Sequence, residues 1–73
     1  MRPLDVMNKY LDAHERVHGP GMVEISLVAD DTYRVRSFVV GRATTPADYK
    51  TGSITTATIA LNNRADRRAP NDG

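Results

Sequence analysis

The chain has 73 residues, room for one domain at most. A charged fraction of 26% beside a hydrophobic fraction of 40% excludes a disordered chain, and the absence of cysteine excludes a disulfide framework and any thiolate metal site. The net charge of +1 hides an asymmetry: residues 1–31 hold three basic residues against six acidic ones, a net of −3, and residues 32–73 hold seven against three, a net of +4.

Residues 4–18 carry the clearest periodicity. On a helical wheel Leu4, Val6, Met7, Tyr10, Leu11, Ala13, His14, Val17 and His18 share one half, and Asp5, Asn8, Lys9, Asp12, Glu15 and Arg16 take the other. That pattern predicts an amphipathic helix. Pro3 suits its first turn, and Gly19-Pro20-Gly21 ends it.

Two strands are expected next. Residues 22–30 alternate Val23, Ile25, Leu27 and Ala29 against Met22, Glu24, Ser26 and Val28; residues 32–40 alternate Tyr33, Val35, Ser37 and Val39 against Arg34, Arg36, Phe38 and Val40. Asp30-Asp31 supplies a short polar turn, so an antiparallel hairpin follows. Gly41 breaks the second strand. Thr45, Pro46 and Asp48 carry helix-start signals and predict a single helical turn over 46–50. In residues 54–61, five of eight are β-branched, which favours a third strand; a helix from Ser53 running into 62–68 is the alternative. The expected fold is α+β, one N-terminal amphipathic helix packed on a small antiparallel sheet in the order α-β-β-β, with a short C-terminal helix as the variant. A single domain over 1–69 and a frayed tail over 70–73 complete it. Leu4, Met7, Leu11, Val23, Ile25, Leu27, Val35 and Val39 are the expected core.

The order of elements resembles that of double-stranded RNA-binding domains, which run helix, three strands, helix. Their last helix opens with a glycine-rich turn and Ser-Lys-Lys-x-Ala-Lys. The corresponding stretch here reads Gly52-Ser53-Ile54-Thr55-Thr56-Ala57-Thr58, without the lysines that contact phosphate, and the link between the second and third strands is short. The resemblance stops at the order of elements and assigns no function.

His14-Glu15-Arg16-Val17-His18 spells H-E-x-x-H, the zinc-peptidase pattern in which two histidines on one helical turn hold the metal and the glutamate activates its water. Glu24 stands where a third ligand would fall. Against this reading, only thirteen residues precede His14, too few for the sheet that builds a peptidase cleft. His14 also lies within the apolar arc of the helix. The expectation is a histidine pair at the core edge, with His18 favoured in its protonated form by the helix C-terminus. No phosphate loop, nucleophile elbow or Ser-His-Asp set is present.

Arginine outnumbers lysine eight to two, and its planar fork suits carboxylate or phosphate. Arg34, Arg36 and Phe38 fall on the strand face turned away from the helix, with Arg42 and Lys50 in the following segment. Arg64, Arg67 and Arg68 form a second cluster. These eight are the candidate partner-binding residues. The expected function is a small non-enzymatic binding protein, of adaptor or inhibitor type such as phages and mobile elements use against host systems, engaging an acidic protein surface. Nucleic-acid binding through the basic half is the first alternative and a zinc-dependent hydrolase the second. No cofactor is expected. No membrane span is expected either, since no apolar run nears about 18 residues. The opening MRPLDVMNKY lacks the apolar core of a secretory signal, so a cytoplasmic location is expected.

Overall fold

The computed structural model describes residues 2–38 and 44–68. Among them the order is α1 (Pro3–His18), β1 (Val23–Ala29), β2 (Thr32–Ser37), β3 (Ala47–Lys50) and α2 (Thr51–Arg68). The α+β class is as expected; the C-terminal third is not. Residues 47–50 form the third strand where a helical turn was expected, and 51–68 form an eighteen-residue helix where a strand was favoured.

Pro3 opens α1 and Gly19 closes it, with the Gly19 amide donating to the Glu15 carbonyl at 2.8 Å. Gly19 and Gly21 adopt φ of 96° and 76°, conformations that cost a side-chain-bearing residue dearly, which is why the abrupt turn is glycine-rich. β1 and β2 pair antiparallel, with Val23 opposite Ser37, Ile25 opposite Val35 and Leu27 opposite Tyr33. Asp31 takes the left-handed conformation (φ 58°) in the turn, which aspartate tolerates better than most residues.

β3 adds to the other side of β2, with Tyr33 opposite Tyr49 and Arg34 opposite Asp48, so the sheet order is β1-β2-β3. It runs without a loop into α2. The first α2 amide, on Thr51, donates to Asp31 Oδ1 at 3.2 Å, so the hairpin turn caps the last helix. Three facts explain why the β-branched stretch is helical. Ile54, Ala57, Leu61 and Ala65 recur at helical spacing and are all buried or half-buried. Thr58 returns its hydroxyl to the Ile54 carbonyl at 2.8 Å, satisfying a polar group within the helix. α2 also packs on α1 more extensively than either helix packs on any strand.

The molecule is therefore two layers, a helix pair on one face of the sheet. Val6 and Tyr10 of α1, Tyr33 and Val35 of β2 and Ile54 of α2 form the core, flanked by Met7, Val23, Ile25, Ala57 and Leu61. Small buried residues on both helices, Ala13 and Ala65, permit their close approach. The second helix also rotates the buried stripe of α1 onto Val6, Tyr10, Ala13, His14 and Val17. That corrects the expected core. Val35 is buried, and Met7, Val23 and Ile25 pack at its margin. Leu11 is half-buried, while Leu4 and Leu27 stay 62% and 43% exposed. Val39, Val40 and Gly41 lie outside the described residues, as do Arg42 and the expected tail over 70–73.

Candidate functional site

The sheet face turned away from the helices carries the alternate residues of each strand, and no described element covers it. Cross-strand pairs organise it. Arg34 donates a fork to Asp48, Nε to Oδ1 at 2.8 Å and Nη2 to Oδ2 at 3.2 Å. This bond holds the Asp48 carboxyl below its usual range. Lys50 donates to the Thr32 hydroxyl at 3.2 Å. Arg36 is placed differently. Its guanidinium lies 4.9 Å over the Phe38 ring, and its one hydrogen bond among the described residues is a long 3.4 Å contact from Nη2 to Glu24. Its Nε is buried with no partner among them. Alternation thus puts Arg34 and Arg36 on one surface, as expected; Lys50 joins them because 47–50 is a strand rather than part of a loop, and Glu24 and Asp48 are interleaved with the three cations.

The second arginine cluster has another place. Arg67 and Arg68 are the last residues of α2. Arg68 donates to the Val17 carbonyl at 2.9 Å, satisfying an acceptor at the C-terminal end of α1. Arg64 and Arg68 share a helical face as predicted, and both charges bear on His18. On the neighbouring turn, Arg16 joins the helices by donating to Asn62 Oδ1 and Asp66 Oδ1, each at 2.7 Å.

The histidines of H-E-x-x-H are stacked, their ring centroids 4.5 Å apart. His14 is 5% exposed, lies against Tyr10 with centroids 6.0 Å apart, and leaves Nδ1 without a partner among the described residues. Burial and then the His18 charge lower its pKa. The pKa of His18 is also lowered, first by desolvation and then by Arg64 and Arg68, which corrects the expectation that the helix dipole favours its charged form. Glu24 projects from the outer sheet face toward Arg36, away from α1, and Glu15 is exposed. Among the described residues no cluster of three or more possible metal ligands occurs.

A feature unforeseen from sequence is an open cleft of about 530 Å³ between β3 and the start of α2, lined by Tyr10, Val35, Tyr49, Ile54, Ala57 and hydroxyl residues. It depends on 47–50 being a strand and 51–68 a helix, so no local signal announced it. The Tyr10 hydroxyl there has its pKa raised by burial and then by Tyr49, which leaves it a proton donor rather than a base.

No family model, curated protein or solved structure matches this chain. No helix among the described residues is long and apolar enough to cross a membrane.

Proposed function

We propose that the chain is a small non-enzymatic binding protein, of adaptor or inhibitor type, that engages acidic groups of a partner protein through the uncovered sheet face, with Arg36 at the centre. The placement of Arg36 carries this reading. A guanidinium held over an aromatic ring is restrained on that side, and one weak hydrogen bond leaves donors to spare. A carboxylate of a partner would complete it. Arg34, already forked onto Asp48, serves as a fixed neighbour. Lys50 contributes charge at the far strand; Arg64, Arg67 and Arg68 are secondary.

Nucleic acid is the weaker reading. Glu24 and Asp48 alternate with the cations on this face, and Asp30 and Asp31 stand at the hairpin end, so a phosphate backbone would meet both signs. A zinc-dependent hydrolase is weaker still, since Glu24 is directed away from the two histidines. A cytoplasmic location accords with the lack of cysteine.

The test is affinity capture from nuclease-treated lysate of the source cells, comparing the parent with Arg36→Glu and Arg67→Glu. A specific protein held by the parent should be lost with Arg36→Glu and kept with Arg67→Glu. Loss of a buried, paired interface arginine weakens binding by about 2 kcal/mol or more. Equal capture by the Arg36→Glu variant would sink the reading.

A further inference from the structure

The two edges of the sheet are unlike. β3 is four residues long, follows Pro46 and carries Asp48 and Lys50, all features that discourage further pairing. β1 is seven residues long, has no proline or lysine, and holds a single charge, Glu24. Among the described residues nothing pairs with its outer side. Two of the exposed large hydrophobic residues, Leu27 and Val28, are on it.

The register shows which backbone groups the edge presents. The Phe38 amide donates to the Met22 carbonyl at 2.8 Å, so residues 22 and 38 are a hydrogen-bonded pair. Antiparallel pairs alternate, so Glu24 and Ser26 turn their backbone groups toward β2, opposite Arg36 and Arg34. Val23, Ile25 and Leu27 therefore turn theirs outward.

We propose that β1 pairs antiparallel with β1 of a second copy, about a twofold axis through Ile25, to make one six-stranded sheet. Ile25 would face the partner's Ile25, Val23 the partner's Leu27 and Glu24 the partner's Ser26. All three outward-facing residues then find hydrogen-bonding counterparts, and exposed Leu27 is covered on the apolar face. An axis through Glu24 would set the two Glu24 carboxylates opposite each other. An axis through Ser26 would bring Ala29, beyond the β1 bulge, into the ladder. Charge complementarity favours the Ile25 axis: one row across the joined sheet reads Asp48, Arg34, Ser26, the partner's Glu24, the partner's Arg36, with signs alternating around a small neutral residue. This pairing does not rest on the proposed acidic partner.

Sedimentation equilibrium of the purified chain tests it. The parent should show twice the mass of one chain, dissociating on dilution. Ser26→Glu, at an exposed position outside the core, should keep the parent's circular dichroism and raise the dimer dissociation constant about tenfold, because like charges then oppose each other twice about the axis. Adding Glu24→Lys to Ser26→Glu should restore the parent's constant, since opposite charges then meet across the axis. A parent of single-chain mass at every concentration, a Ser26→Glu variant that dimerises like the parent, or a double variant that fails to recover would each overturn the proposal.

Discussion

The imidazole of His14 stacks on that of His18 at a centroid distance of 4.5 Å, with the rings inclined by 41°. Burial first, and then neighbouring charge, His18 on His14 and Arg64 and Arg68 on His18, make protonation of either ring less favourable in the folded state.

Acid sensitivity follows. Both imidazoles are held below their ordinary value of 6.5 in the fold. The unfolded chain therefore takes up protons first as pH falls through that value, and uptake favours unfolding. Stability should be full above about pH 7 and should decline toward about pH 5. Urea unfolding across this range checks it, and a His18→Gln variant should show a flatter profile. A parent whose stability is constant over that interval would refute the coupling.

Arg68 and Arg67 should separate cleanly. Arg68→Ala removes the donor to the Val17 carbonyl and should cost about 1 kcal/mol in urea unfolding. Arg67→Ala should change stability by less than about 0.5 kcal/mol. Equal effects would mean that the α1 carbonyl finds water as readily as the guanidinium.

Core substitutions should follow the observed burial rather than the expected one. Ile54→Ala, at a residue 2% exposed, should cost about 2–5 kcal/mol. Leu4→Ala, on the exposed margin of α1, should cost less than about 0.5 kcal/mol. Thermal unfolding of the two variants side by side is sufficient, and a reversed order would be incompatible with this packing.

Asp31 has two tasks, a left-handed turn and a hydrogen bond to the first amide of α2. Asp31→Asn preserves both capacities and should leave the unfolding midpoint nearly unchanged. Asp31→Gly preserves only the first and Asp31→Ala neither, so the midpoint should fall in that order. The Asp31 carboxyl is held below its ordinary 3.8, mainly by its hydrogen bond with Thr51. Its contribution is present above that value and lost as pH falls below it, which places it in a more acid window than the histidines.

Local pattern sufficed for α1 and the hairpin because each carries its own signals: a wheel with one apolar half closed by Gly19-Pro20-Gly21, and two alternating runs joined by Asp30-Asp31. The outward placement of Arg34 and Arg36 was legible for the same reason, since strand alternation needs only a parity. The pairing of those arginines with Asp48 and Glu24 was not, because it depends on which strands become neighbours. Residues 47–68 were decided by tertiary contact. Ala47–Lys50 is extended because β2 offers it a ladder, and Thr51–Arg68 is helical because Ile54, Ala57, Leu61 and Ala65 can then bury against α1 and the sheet. A β-branched run has only a weak intrinsic preference for extension, and the free energy of burying one side of a helix exceeds it.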